Sequence, residues 1–257
     1  MKPYAALLIA ICNMLLTLGC ATSSEPQPNA KALQQASEIN TQLGIRYLQL
    51  GNLQQAVRKL GKALRQDAAN ADAHTTIGVV YEQLDKTDLA REHYRRAVEL
   101  QPNNSEALNN YGRFLCKHGD YEGAERYFKR SADNVIYATP EKPLANAGIC
   151  ALQHGDAGRA EDFFLSALKR NPRYARALIK MAQLRFDSGH FLSARGYYQR
   201  YLAVAPQSPS SLWLGIRLEH ELGDKDAVAS YKLLLKQKFP DSTETRRLLE
   251  WEDDGKL

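Results

Sequence analysis

One alanine position returns along this chain with an almost constant period. The six alanines lie 33 to 36 residues apart, and an aromatic residue follows four positions after each of the last five: Ala56, Ala90, Ala124, Ala160, Ala194 and Ala227. A fixed period of this length predicts a repeat architecture in which each unit packs only against its neighbours. We therefore expect the 257 residues to form one continuous array rather than several independent domains.

Alignment on the alanines gives six units, covering residues 37–70, 71–104, 105–140, 141–174, 175–207 and 208–241. In each unit a large apolar residue followed by a small one marks a first helix, which we call helix A, and the alanine–aromatic pair marks a second, helix B. Glycines suited to a left-handed conformation stand where helix A should end, at Gly51, Gly119, Gly155 and Gly189. This pattern resembles the tetratricopeptide repeat. It predicts an all-α fold, a right-handed superhelical α-solenoid of about six repeats, with a capping helix and tail in residues 242–257.

The first twenty residues have the composition of an export signal. Met1 and Lys2 precede a short apolar run that ends in Gly19 and Cys20, and the run is too short to span a bilayer. Residues 16–20 resemble a bacterial lipobox, with Thr17 at a place where such patterns usually have leucine. The resemblance implies a signal peptide over residues 1–19 and lipidation of Cys20; an ordinary signal peptide with an incidental cysteine is the alternative.

Residues 20–36 contain mostly polar residues and prolines, so we expect a lipidated flexible tether there. Position 21 is alanine and not aspartate, which by analogy with lipoprotein sorting implies the periplasmic face of the outer membrane. Several acyl chains on one cysteine would anchor the protein stably.

Neither nucleic-acid binding nor catalysis is expected. The net charge of +5 is spread along the chain without a long basic run. The sequence contains no HExxH, no GxSxG and no phosphate-binding glycine loop, so we predict no enzyme activity, cofactor, metal or small-molecule substrate. His118 and His154, at equivalent places in two units, are interpreted as polar residues in the last turn of helix A.

Cys116 and Cys150 are the two cysteines that follow Cys20, and they lie in helix A of consecutive units. Neighbouring helix axes are about 8–10 Å apart, a geometry that permits a disulfide in an oxidising compartment. Two separately buried cysteines remain the alternative.

The inward side of the first helices suggests a binding groove for a partner protein. Units one and two have a largely apolar strip there, and unit three adds polar groups for a partner's backbone; the candidate contact residues are Thr41, Ile45, Leu48, Thr75, Val79, Asn109, Asn110 and Arg113. Alternatively, the N-terminal tether packs on this strip.

Several stretches are more specific than the general repeat: Leu108-Asn109-Asn110-Tyr111-Gly112, Phe114-Leu115-Cys116, Asn146-Ala147-Gly148-Ile149-Cys150, Leu214-Gly215-Ile216-Arg217-Leu218, Ala229-Ser230-Tyr231 and Phe239-Pro240. With the lipobox, they resemble the PilF/PilW family of type IV pilus biogenesis lipoproteins. The resemblance implies a pilotin, which binds the pilus secretin and promotes its delivery to the outer membrane and its multimerisation. It also implies a disulfide between Cys116 and Cys150. Rival interpretations are a lipoprotein of general outer-membrane barrel assembly and a periplasmic cell-wall scaffold.

Overall fold

The computed structural model describes residues 29–253. Within this range the chain forms thirteen helices and no strand. The helices are α1 Ala30–Gln49, α2 Leu53–Gln66, α3 Ala71–Gln83, α4 Thr87–Leu100, α5 Ser105–Lys117, α6 Tyr121–Asp133, α7 Glu141–Gln153, α8 Ala157–Arg170, α9 Ala175–Asp187, α10 Phe191–Leu202, α11 Pro209–Glu221, α12 Lys225–Lys238 and α13 Thr243–Asp253. Odd-numbered helices from α1 to α11 are the A helices of units one to six, even-numbered helices are the B helices, and α13 follows the last unit.

The periodic alanines lie at the contact between helices A and B. The first five are fully buried, and the aromatic side chains that follow them in units two to five are buried as well. The last unit differs, because Ala227 and Tyr231 are partly exposed. Small residues on helix B thus let helix A approach, and the bulky side chain one turn later fills the remaining space.

Glycine on helix A allows the same close approach from the other side. A β-carbon added at Gly148 would lie 2.6 Å from Cε1 of Phe164, and one at Gly112 would lie 2.9 Å from Cε1 of Phe128. Ordinary carbon–carbon contacts are about 3.5–4.0 Å. The helix pairs in these units are therefore closer than any larger residue would permit.

The turn from helix A to helix B follows one pattern. Gly51, Gly119, Gly155 and Gly189 all have a positive φ, between 71° and 84°, which confirms the predicted left-handed positions. Unit two has no glycine there, and Asp85 adopts the conformation with φ of 55°. Helix B then begins with a side-chain cap in most units; for example, Asp120 accepts from the backbone N–H of Gly123 at 2.9 Å.

The beginning of α1 differs from the prediction. Residues 20–36 were expected to form a flexible tether, but α1 starts at Ala30, so the prediction is wrong for residues 30–36. Asn29 caps the helix by accepting from the N–H of Ala32 at 2.7 Å, and the alanines, leucine, lysine and glutamines that follow are good helix formers. The predicted signal peptide and Cys20 lie outside the described residues. Between residues 29 and 253, no helix is long and apolar enough to cross a membrane.

The C-terminal end of the array is closed by α13. Its Leu248 is fully buried with Leu212 and Ile216 of α11 and Leu235 of α12. This packing covers the apolar side that unit six would otherwise leave open, as the end of a solenoid requires.

Candidate partner-binding site

The two threonines predicted to line a groove are instead structural. Thr41 is buried; its hydroxyl donates to the carbonyl of Ser37 at 2.8 Å and accepts from the side chain of Asn70 at 3.1 Å. Thr75 is also buried, and its hydroxyl donates to the carbonyl of Ala71 at 2.9 Å. Because a partner can reach neither side chain, the prediction that they contact one is wrong.

The three apolar residues of the predicted groove have different surroundings. Leu48 is half-buried and packs against the core of units one and two, and Val79 is half-buried against the core of units two to four. Ile45 is half-buried and lines an open cleft. Of the predicted apolar strip, Ile45 therefore lines the open cleft, while Leu48 and Val79 lie partly exposed at the edge of the core.

The polar residues of unit three are split between interior and surface. Asn109 is 1% exposed and accepts from the side chain of Asn146 at 2.8 Å, so it is not a partner contact as predicted. Asn146 in turn accepts from Arg176 at 3.1 Å, which links units three, four and five. Asn110 is half-buried and accepts from the exposed Arg113 at 3.3 Å. These last two residues remain accessible.

The structure reveals an apolar surface on the outer side of α1 that the sequence reasoning missed. Ile39, Leu43 and Leu50 are 63%, 37% and 71% exposed. One repeat later, the equivalent residues of Ile39 and Leu43 are Ala73 and Ile77, which are 0% and 2% exposed because they pack against α2. The outer side of α1 thus has the residues of a unit-to-unit interface, although no described residue precedes it in the array. We call this surface, formed by Ile39, Leu43, Ile45 and Leu50, the open end.

A signal for the open end exists in the sequence. Ile39 and Leu43 are one helical turn apart and therefore share a face of α1. They stand 34 residues before positions that the period assigns to a unit interface, and no described repeat precedes unit one on that side. Comparing unit one with unit two, position by position, would have identified the exposed surface.

The open end forms a cleft with a polar rim. Its apolar part is made by Ile39, Leu43 and Ile45, and its volume is about 810 Å³. The rim combines both signs of charge with amide groups: Glu38, Arg46, Asp72, Gln42 and Gln49. An apolar stripe of this kind, i and i+4 along a helix, fits the apolar face of an amphipathic helix from another protein.

The cysteines join the middle of the array. Cys116 of α5 and Cys150 of α7 form a disulfide with a Cα–Cα distance of 5.8 Å. Both residues are buried. The bond connects the A helices of units three and four, and so fixes the relative position of the two halves of the solenoid.

The two equivalent histidines pack on aromatic rings. His118 lies 4.5 Å from the ring of Phe114, and His154 lies 4.6 Å from the ring of Tyr121, measured between ring centroids. Both histidines are exposed. Among residues 29–253 no group of three or more histidine, cysteine or acidic side chains is placed to hold a metal ion.

Comparison with known proteins places this geometry in a family. Tetratricopeptide-repeat family models match residues 41–105, 93–126 and 151–214. The type IV pilus assembly protein PilF of Pseudomonas aeruginosa is 35% identical over 228 residues, which are 88% of this chain and 90% of the relative. A solved structure of Pseudomonas aeruginosa PilF has a TM-score of 0.74 at 34% identity, covering 85% of this chain and 98% of that one. The crystal structure of PilW, described as a widely conserved type IV pilus biogenesis factor, has a TM-score of 0.75 at 30% identity, covering 84% and 99%.

Proposed function

The chain belongs to the PilF/PilW family of tetratricopeptide-repeat proteins of type IV pilus biogenesis, and from this premise we propose that it is a pilotin. In this proposal it is an outer-membrane lipoprotein that binds the pilus secretin and promotes secretin localisation and multimerisation. The solenoid binds a secretin subunit, and the lipid on Cys20 holds the complex at the periplasmic face of the outer membrane. The protein acts by binding and positioning, without catalysis.

The open end is the observation that carries the proposal. Ile39 and Leu43 occupy repeat positions that are buried in unit two, so within residues 29–253 their exposure leaves a preformed interface without its second half. Complete burial of a fully exposed aliphatic side chain of this size contributes about 1.5–3 kcal/mol, and Ile39 and Leu43, at 63% and 37% exposed, each gain part of that. A secretin segment that forms an amphipathic helix would take the place of a preceding helix B and bury both residues.

The residues that follow Cys20 lead into α1, the helix that carries the open end. Cys20 stands nine positions before Asn29, the cap of α1. A fully extended segment of that length spans about 30 Å. Lipidation of Cys20 would therefore keep the start of α1 within about 30 Å of the membrane surface, and Ile39, ten residues further along the helix, within about 45 Å. It would raise the local concentration of secretin bound there.

Charge substitutions at the open end test the binding step. The double variant Ile39→Glu/Leu43→Glu should retain at most a tenth of the secretin that the wild-type protein retains from detergent-solubilised envelopes. Leu192→Glu on α10 is the matched control, because Leu192 is 75% exposed but lies on a B helix away from the open end. It should retain secretin as the wild type does. Equal retention by the double variant, with an unchanged far-UV circular dichroism spectrum, would exclude the open end as the secretin site.

Substitution of the anchor tests the delivery step separately. Cys20→Ala should still bind secretin in detergent, but heat-resistant secretin multimers should no longer accumulate in the outer membrane. Unchanged multimers in that fraction would refute the anchoring role. Deletion of the gene should leave growth normal and abolish surface pili, whereas loss of viability would favour general barrel assembly.

A further inference from the structure

A second candidate surface lies at the other end of the array, where α9, α11 and α13 meet. The guanidinium carbon of Arg217 is 4.6 Å from the ring centroid of Phe186 and 5.9 Å from that of Trp213. Trp213 contacts Trp251 of α13 at a centroid distance of 5.1 Å. We call Arg217, Phe186, Trp213 and Trp251 the arginine–aromatic cluster.

Arg217 has no acidic partner within the part of the chain that the structure describes. Its best polar contact is a long hydrogen bond of 3.4 Å from Nη2 to Oε1 of Gln183, and its Nε is buried without an acceptor. Other arginines of the same units are paired: Arg185 with Glu161, and Arg195 with Glu219. Burial lowers the pKa of Arg217, although a guanidinium stays charged at any physiological pH. The cluster thus contains a partly desolvated positive charge that makes no direct ion pair within residues 29–253.

Two more cations extend the positive surface along α9. Arg176 donates to the amide oxygen of Asn146, and Lys180 follows one turn later on the same side of the helix. Within residues 29–253 neither makes an ion pair with a carboxylate. The negative charge of Asp187 acts on Arg217 without a direct contact, because the Asp187 carboxylate accepts a hydrogen bond from the side chain of Gln183 at 2.6 Å. The strip from unit five to unit six therefore has an excess of positive charge.

We propose that the arginine–aromatic cluster binds an acidic segment of a partner polypeptide. A carboxylate of that segment accepts two hydrogen bonds from the terminal Nη1 and Nη2 of the Arg217 guanidinium, while an apolar side chain beside it packs on Trp213 and Trp251. Stacking on aromatic rings holds the guanidinium plane, and the long bond from Nη2 to Gln183 leaves N–H groups of both terminal nitrogens for the planar, bidentate geometry of a carboxylate. Arg176 and Lys180 attract further acidic residues along the strip. This surface is separate from the open end, so the inference does not depend on the proposed function.

The tryptophans of the chain give a direct measurement. The sequence contains two, Trp213 and Trp251, and both belong to the cluster, so the intrinsic fluorescence of the full chain reports on this surface. The probe is a ten-residue peptide of glutamate and glycine with one central phenylalanine, and its control is the same peptide with glutamine for glutamate. We expect the acidic peptide to change the emission saturably and the glutamine peptide to bind at least tenfold more weakly.

Matched variants then locate the binding. Arg217→Gln should weaken binding of the acidic peptide at least tenfold, and Lys180→Gln should weaken this binding severalfold. Lys180→Gln keeps the test valid if Arg217→Gln does not fold. Arg58→Gln removes the same charge from an exposed position of α2 and should leave the affinity unchanged.

Three results would overturn the proposal. The first is an unchanged affinity of Arg217→Gln for the acidic peptide or, if that variant does not fold, an unchanged affinity of Lys180→Gln. The second is a saturable change produced by inorganic phosphate at the same concentrations, which would indicate a general anion site. The third is binding only by a chain truncated after Asp253, which would show that residues 254–257 occupy the cluster themselves.

Discussion

Replacing Gly148 with alanine should destabilise the protein, although alanine is the better helix former. The substitution gains about 1 kcal/mol of helix propensity. It also places a β-carbon 2.6 Å from Cε1 of Phe164, about 1 Å closer than an ordinary contact, and Phe164 is fully buried. Overpacking of this kind costs about 1–3 kcal/mol. We therefore expect a net loss of about 1 kcal/mol in the free energy of unfolding.

Gly196→Ala provides the control for the same chemical change. Gly196 lies in α10 with nothing within 4 Å of the position of its β-carbon, so the variant should gain about 1 kcal/mol. Urea unfolding followed by far-UV circular dichroism measures both. Since the propensity gain is common to the two variants, the difference between them, about 1–3 kcal/mol, isolates the overpacking cost. Equal stabilisation by both substitutions would show that helices α7 and α8 are not in the close contact described above.

Unit five shows why the cost stays moderate. It has Ala182 at the position equivalent to Gly148, and the aromatic of that unit, Tyr198, lies close to the next unit, with Cζ 2.8 Å from where a β-carbon of Gly215 would be. An alanine on helix A is thus compatible with the fold when the aromatic ring of helix B lies towards the next unit, as Tyr198 does. At Gly148 this movement would press Phe164 against unit five, so relief is only partial.

Three further predictions concern other parts of the array. The disulfide joins Cys116 and Cys150, which are 34 positions apart, and its reduction should lower the free energy of unfolding by about 4 kcal/mol. A double serine variant should not respond to reductant, and two free thiols in the native protein would contradict the prediction. The Nδ1 atoms of His74 and His93 are 2.8 Å apart, and burial lowers the pKa of both side chains below 6.5. The unfolded chain therefore binds more protons than the folded one as the pH falls below about 6.5, so the free energy of unfolding should decrease there. His93→Gln should flatten the dependence of the urea midpoint on pH, and an unchanged slope in this variant would contradict the assignment to the histidine pair. Leu248→Ala should lower the free energy of unfolding by about 2–5 kcal/mol, and tryptophan fluorescence should change at a lower urea concentration than circular dichroism. An unaltered unfolding midpoint would show that α13 does not stabilise the array.

The repeat period predicted the architecture because packing between helices A and B requires small residues at fixed places. The buried alanines and the glycine turns with positive φ confirm that reasoning. The start of α1 could not be read in the same way, since the period says nothing about residues before the first repeat. There the local propensity of residues 30–36 and the Asn29 cap decide the conformation.

The binding surface was harder to predict because a groove residue and a core residue can be neighbours on one helix turn. Thr41 was assigned to the groove, but its hydroxyl accepts a hydrogen bond from Asn70 in the loop between α2 and α3, a contact that the sequence pattern does not encode. The arginine–aromatic cluster was missed for a related reason. It brings together Phe186, Arg217 and Trp251 from three different helices, and Trp251 comes from outside the repeats.

The two ends of the solenoid are unlike, and this limits how copies of the chain can associate. A repeat interface joins two different faces, and a heterologous contact of that kind produces filaments when every molecule offers both faces. Here the open end offers one face, while α13 covers the other and turns mostly charged residues outward, among them Arg246, Arg247 and Glu250. Within residues 29–253, a second copy therefore offers no face complementary to the open end through its own C-terminal end, so repeat-like stacking of copies head to tail lacks one of its two faces.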